Sequence, residues 1–558
     1  MTQAAPARRS GALTAGAFVA ALTVAVAAAA QQPEPPRILR EGVRAAVDVT
    51  VMDLDVVATG KGGEPVKDLA KGEITVIVDG IPYTPDYFAR IDAGQVHGPD
   101  LANASPDVVL ETTRAGDTRW VPRQFLAFFD DEHLMPFERK RVIEGLRDFV
   151  TRLSPSDSMA LLAYNISTRV FVPFTSSKED LLLGLSKLEK LPPRGLYWDT
   201  QYRQAIRDAR RYSPVSVQGQ AARDSIVRTW GAQAWTRDRS TLEEFRRSVD
   251  ALAARSGKRV LLYVSHGMEM RPGQSLAQSL GGTALNQFDY DVTPQYRAVL
   301  ESANRAGITL HAIDALGLVA GGDASESDPP AIDPFLANAN RREILAGFAD
   351  ETGGVLVENR NVFAASLDRI YRESASYYSV GVTLSSLNAK KPTHEVRLRT
   401  TRAGVTLRTR RTFAPLTAPQ AARDRLEMAL ITPDAAGDFA VTVRTDAPKK
   451  GGGMGRRLVP FAVVVPVSSL TFLDEGGKKK AVVEIGLAAV EDTGARSAPV
   501  TQRQEIVVTP EVLAASGKEP FVYRGEFKSG TGNMRFVATV RDVTSNRVGV
   551  GSASVRVE

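Results

Sequence analysis

A chain of 558 residues with 43% hydrophobic and 24% charged side chains is too long for one ordinary core and too apolar for wholesale disorder. Its 70 Lys and Arg are interspersed with 64 Asp and Glu, and the resulting net charge of +6 argues against a dedicated nucleic-acid binder. The lack of cysteine excludes disulfides, thiol catalysis, iron-sulfur clusters and a cysteine-linked lipid anchor, though not export.

Residues 1–30 carry Arg8 and Arg9, then the apolar run GALTAGAFVAALTVAVAAAA, ending in an A-x-A site before Gln31. This reads as a cleaved signal peptide, and the mature chain is expected to be secreted or periplasmic, with no stable membrane span. The alternative is an anchor, because the run nearly reaches the roughly 20 residues needed to span. Residues 31–42 form a Pro-rich linker. From 43 to 92 apolar and polar residues alternate around Gly-rich and Asp-Gly turns, which predicts a small antiparallel β module with Asp48, Asp53, Asp55 and Asp79 on its solvated face. Residues 93–118 read as a polar connection.

The next segment, 119–415, alternates strand and helix. It opens with RQFLAFFD, whose unbroken apolar run Phe125–Phe129 predicts a strand buried on both faces and ending in Asp130, Asp131, Glu132 and His133. A helix follows, with Val142, Leu146, Phe149, Val150 and Leu153 at helical spacing. Further on come the strand DSMALLAYN, the strand RVFVPFT, the helix KEDLLLGLSKLEKL, the Gly-bearing loop GLYWDT running into a helix, and an Arg-rich helical insertion near 205–245. The strands KRVLLYVSHG and ITLHAID then alternate with helices as far as YSVGVTL. The fold class expected is α/β, a doubly wound and mostly parallel sheet flanked by the N-terminal β module and a C-terminal β-sandwich. In such sheets ligands bind beyond the carboxyl ends of the strands, where the acidic loop lies. HEVRLRT and VTLRTRRTF are expected to extend the central sheet, residues 416–425 to be a linker, and 426–558 to form the β-sandwich.

In the order of these elements, residues 119–384 resemble a von Willebrand factor A domain, and 43–390 look like the VWFA-related proteins of Acidobacteria. The resemblance implies a protein-binding module with a metal-ion-dependent adhesion site on the carboxyl edge, made of an Asp-x-Ser-x-Ser motif, a Thr and an Asp. Here Asp130 matches the first Asp, Glu132 and Leu134 replace the serines, Thr200 matches the Thr, and Ser265-His266-Gly267 stands where Asp-Gly is expected. Asp130 and Glu132 are left to bind Mg²⁺ or Ca²⁺, with Thr200 and Ser265 contributing and a protein partner's acidic side chain completing the shell. Asp131, His133, His266 and Asp314 are further candidates, and converging His133 and His266 rings would favour Zn²⁺.

Three functions compete: an exported binding protein with an altered metal site, a metal-free interaction scaffold, and a metal-assisted hydrolase using Asp130, Glu132, His133 and His266. Tyr263 stands where a G-x-S-x-G elbow around Ser265 needs its first Gly, and no H-E-x-x-H occurs, so no enzyme is expected. Without a metal the three adjacent carboxylates should repel one another, so that replacing any of them raises stability. His311, mid-strand, is expected in the core, His97 and His394 in solvent, and Trp198, Trp230 and Trp235 packed between the insertion and the domain.

Overall fold

In the computed structural model the described residues are 50–97, 109–113, 116–280, 290–317, 334–384, 391–433, 435–451, 457–515 and 520–558. The expected signal peptide and linker, residues 1–42, lie outside them. The chain divides into two compact units, one within 46–432 and the other containing 433–558.

At the centre of the first unit is a six-stranded sheet, ordered Ser167–Thr175, Ser158–Asn165, Arg123–Asp130, Lys258–Ser265, Thr309–Asp314 and Leu356–Val357. All neighbours are parallel except the first pair, a hairpin turned at Ile166. Every residue of Arg123–Asp130 is buried. Its Phe125, Ala127 and Phe129 pack with Val142, Leu146 and Phe149 of the helix Pro136–Arg152 on one face. On the other, Phe128 meets Phe245 at 5.0 Å between ring centres. The continuous apolar run is thus explained by two covered faces. Strand order reverses direction between Arg123–Asp130 and Lys258–Ser265, which opens a crevice where those two strands end, at Asp130 and Ser265.

The insertion near 205–245 is not a separate lobe. It begins in the helix Gly195–Arg210 and runs mostly through one helix of 37 residues, Val217–Ala253, whose C-terminal half buries Leu242, Phe245, Val249 and Leu252 in the core. Trp198 and Trp230 pack edge to face at 6.2 Å, joining this helix to Gly195–Arg210, and His311 sits buried in its strand.

The N-terminal module is not self-contained. Thr50–Thr59 pairs with Ser376–Leu384, the YSVGVTL strand expected in the central sheet, and then with Thr406–Arg408. Tyr87–Asp92 pairs with the other edge of Ser376–Leu384, while Ile74–Val78 pairs with His394–Thr400. Met52, Leu54, Val76, Val380, Val382 and Val396 share one core between these antiparallel sheets. HEVRLRT therefore does not extend the central sheet. Its alternation puts Val396 inside and Glu395 and Arg397 outside, a pattern that needs one dry and one wet face. The connection 93–118 adds the strands Gln95–His97, Val109–Thr113 and Gly116–Trp120 to the same assembly. Two polar residues assigned to solvent also change place. Asp55 accepts from the buried Lys258 Nζ at 2.7 Å, and buried His394 meets Asp79 at 2.7 Å.

The expected linker 416–425 is a further correction. Ala418–Ile431 is a helix, opened by a Thr417–Gln420 capping box with Pro in its first turn. It buries Leu426, Leu430 and Ile431, and it carries Glu427 to the Arg247 Nε at 2.9 Å and Asp424 to the Arg305 guanidinium at 3.0 Å. The Ala- and Pro-rich composition that suggested a linker is that of a well-started helix. The second unit starts after it. Two antiparallel sheets, one around Arg457–Pro466 and one around Lys478–Glu491 and Gly532–Asp542, enclose Val459, Phe461, Val463, Ile485, Phe536 and Val540.

Candidate functional site

Asp130 ends its strand fully buried, and its carboxylate accepts three hydrogen bonds: from the Tyr263 hydroxyl at 2.9 Å, the Ser265 hydroxyl at 2.8 Å and His133 Nδ1 at 2.7 Å. The other ring nitrogen of His133 lies 2.9 Å from Asp238 Oδ1 on the long helix, an oxygen that also accepts from Arg237 Nε at 2.6 Å. Carboxylates therefore flank both ring nitrogens. Burial and Arg237 oppose the imidazolium, but Asp130 and Asp238 outweigh them and raise His133 above its usual range. Burial likewise works against the Asp238 charge, and Arg237 with His133 holds that carboxyl below its usual range.

The neighbouring acids turn to other partners. Asp131 meets Arg139 at 2.6 Å, while the second guanidinium nitrogen of Arg139 donates to the Leu191 carbonyl. Its other oxygen, Asp131 Oδ1, is buried with no partner among the described residues. Burial, with Asp130 and Glu132 adding to it, pushes Asp131 up to about 7 against the pull of Arg139. Glu132 ties three elements together: it accepts from the Trp198 indole at 2.6 Å, from Arg194 at 3.0 Å and from the Ile166 amide at 2.9 Å. That last bond holds a β-branched residue at a φ of 65°, a strained conformation of the kind that gathers at functional edges. Arg194 and Gly195 also hook onto the acidic loop through their amides, which donate to the Asp131 and Leu134 carbonyls at 2.6 and 3.1 Å. Gly195 is required there, since a Cβ would come within 2.3 Å of the Leu134 carbonyl oxygen.

Of the residues marked out by sequence, the structure gathers Asp130, His133 and Ser265 at one point, with Asp131 and Glu132 beside them. It separates the rest. Thr200 is exposed and its hydroxyl donates to the Leu196 carbonyl of its own helix at 2.8 Å. His266 lies between Glu138 at 3.0 Å and Arg341 at 3.1 Å. Asp314 is capped by Arg342 Nε at 2.6 Å and the Leu316 amide at 3.0 Å. Leu134, in the place of the second serine, is a fully buried apolar plug. Among the described residues no three His, Cys, Asp or Glu side chains are grouped to hold a metal ion. The sequence reading missed Tyr263, Asp238, Arg139 and Arg194. Its available signal was the pairing of Arg with Asp at 237–238, which resembled any solvated helix face.

Asp131 makes a pH prediction. In the unfolded chain it loses its proton near the ordinary carboxyl value of about 4, whereas in the folded chain it keeps the proton to about 7. The folded state thus binds the extra proton between those values, so this group's contribution to stability falls as pH rises through that window. Asp131→Asn should remove the decline, so that the difference in urea midpoint between variant and parent grows from pH 5 to pH 8. A difference independent of pH would show Asp131 ionised throughout.

No protein-family model matches the chain, and no curated protein matches it. Among solved structures it is similar to a von Willebrand factor type A protein of Catenulispora acidiphila, at 10% identity and a TM-score of 0.22, over 85% of this chain and 73% of that one. It is also similar to an aerotolerance-related membrane protein of Bacteroides fragilis, at 12% identity and 0.23, over 45% of this chain and 98% of the other. A third is the manganese-loaded TRAP protein of Plasmodium vivax, at 12% identity and 0.24, over 51% and 92%. Likenesses this distant carry no argument about what the chain binds. No helix among the described residues is long and apolar enough to cross a membrane.

Proposed function

We propose that the 46–432 unit is a non-enzymatic protein-binding domain of the von Willebrand A type, exported by its N-terminal signal, which binds at the carboxyl edge of its central sheet without a divalent cation. The observation that carries this reading is that Asp130 Oδ2 accepts from Tyr263, Ser265 and His133 together, while Oδ1 also faces His133 Nδ1 at 2.8 Å. A hard cation needs carboxylate and hydroxyl oxygens free to converge on it. Here those of Asp130 and Glu132 are occupied by protein donors, among them a guanidinium, an indole and an amide on Glu132, while the Thr200 hydroxyl lies exposed on its helix and donates to the Leu196 carbonyl. The donor set does not fit the ion, and the buried imidazolium supplies the positive charge that an ion would bring. The same burial speaks against hydrolysis, since Ser265 is fully buried and donates to a carboxylate instead of an imidazole. Around this locked centre the edge displays apolar side chains to solvent: Phe137 at 61% exposure, Ile166 at 70%, Leu196 at 58% and Tyr197 at 50%. Exposed apolar side chains gathered on the elements of one edge suit a protein surface.

Thermal melts with millimolar Mg²⁺, Ca²⁺, Mn²⁺ or Zn²⁺ should leave the midpoint unchanged. A cation bound only by the folded state would instead stabilise it by about 2.7 kcal/mol at a hundredfold excess over Kd. A shift that Asp130→Asn abolishes would end the cation-free reading. A captured partner should stay bound in chelator and be released by the paired substitutions Ile166→Ser and Tyr197→Ser.

A further inference from the structure

Beside the Asp130–His133–Asp238 line opens a cleft with a volume of about 110 Å³, walled by the rings of Trp198, Tyr202 and Trp230. The rings form one cluster, Tyr202 lying 5.3 Å and Trp198 6.2 Å from Trp230. Two of the lining residues carry a buried polar atom with no partner among the described residues, Asp238 Oδ2 and the Tyr202 hydroxyl. Asp238 is only 1% exposed, and its donors His133 and Arg237 are both spent on Oδ1. A buried carboxylate oxygen left without a donor is costly, and a ligand that brings N–H groups relieves it. The guanidiniums on the lining are committed elsewhere, Arg237 to Asp238 Oδ1 and to the face of Trp198 at 4.9 Å, and Arg341 to His266. Glu269 adds a further carboxylate, one of whose oxygens is held by the Gly273 amide at 3.0 Å.

We infer that this cleft receives a basic side chain, Lys or Arg, from the protein partner. Its N–H groups donate to Asp238 Oδ2 and to the oxygen of Tyr202, and its alkyl stem and charge lie against the indole of Trp230, which attracts cations through its face, that of Trp198 being already taken by Arg237 and Arg194. An acidic side chain offers no donor to Oδ2 and meets the Asp238 carboxylate with like charge. The inference rests on the cation-free reading of this edge and inverts the polarity of a metal-dependent adhesion site: here the carboxylates belong to the domain and the positive charge to the partner.

The test titrates the full-length chain with the blocked amino acids N-acetyl-lysine N-methylamide and N-acetyl-arginine N-methylamide, and with the glutamate counterpart as control, following tryptophan emission. Saturable quenching by at least one basic probe and none by the glutamate probe is expected. Asp238→Asn should weaken that binding about tenfold or more. Because Asp238 also supports His133, Tyr202→Phe is the second variant. It deletes one oxygen, leaves the melt unchanged, and should weaken the basic probe severalfold. Absence of saturable binding by both basic probes, affinity untouched in both variants, or binding of the glutamate probe instead would overturn the inference. Such a failure with melts still insensitive to Mg²⁺ leaves the cation-free reading standing, whereas a melt shifted by Mg²⁺ defeats that reading itself.

Discussion

Asp130→Ala is expected to lower the stability of the 46–432 unit by about 3–5 kcal/mol, the cost of removing one partner from a buried ion pair. Counting carboxylates along the sequence gives the opposite sign, since three adjacent acids at one strand tip should gain from losing any member. The structure gives each acid its own counter-charge. His133 faces Asp130 at 2.7 Å, Arg139 faces Asp131 at 2.6 Å and Arg194 faces Glu132 at 3.0 Å. Deleting the Asp130 carboxylate leaves His133 paired with Asp238 through its other nitrogen but takes the acceptor from His133 Nδ1 and from the buried hydroxyls of Tyr263 and Ser265. Three orphaned donors outweigh the relief of repulsion from two acids that are already neutralised. The urea midpoint should fall and the slope stay constant. A variant more stable than its parent would mean that repulsion governs the loop, and that the hydrogen bonds to Asp130 contribute little.

A chain ending after residue 416 is expected to be unfolded, and one ending after 432 to melt cooperatively. The helix Ala418–Ile431 buries Leu426, Leu430 and Ile431 at 1–2% exposure, and each such side chain contributes about 1.5–3 kcal/mol. Its loss also leaves the 5%-exposed Arg247 without Glu427, and Arg305 without Asp424. Together these approach the entire stability of an ordinary domain, about 5–15 kcal/mol. Circular dichroism melts of the two truncations decide the matter. Equal midpoints would reduce the helix to a passive connector. In limited proteolysis of the full chain, cleavage within 418–431 should be slow for the same reason.

The central sheet was legible because strands covered on both faces must be apolar without interruption, as Phe125–Phe129 and Leu261–Val264 are. The acidic tip was legible because Asp130 follows such a run without a break. Pairing in the flanking sheets was not, since an alternating strand such as His394–Thr400 declares which face is dry but not which strand lies beside it. At the site, sequence disclosed the carboxylates and missed their counterions. Arg139, Arg194 and Asp238 sit on or beside helices among many charged residues that do face water, and only packing distinguishes them. Thr200 was matched to the adhesion-site threonine by its loop. That loop is already the first turns of the helix Gly195–Arg210, where a hydroxyl bonds the carbonyl four residues back instead of pointing along the sheet edge.

The sheets in which Thr50–Thr59 and Ile74–Val78 find their neighbours reverse the order of synthesis. Strands that leave the ribosome first pair with segments between residues 376 and 413, and the Leu69 amide waits for the Tyr378 hydroxyl 309 positions later. Until then their backbone edges stay open, which is the state most prone to joining the edge of another chain. Closure of these sheets is therefore a late, long-range and slow step. Any translating or translocating chain interrupted before residue 376 holds these unpaired strands outside a finished core, open to pairing with another copy.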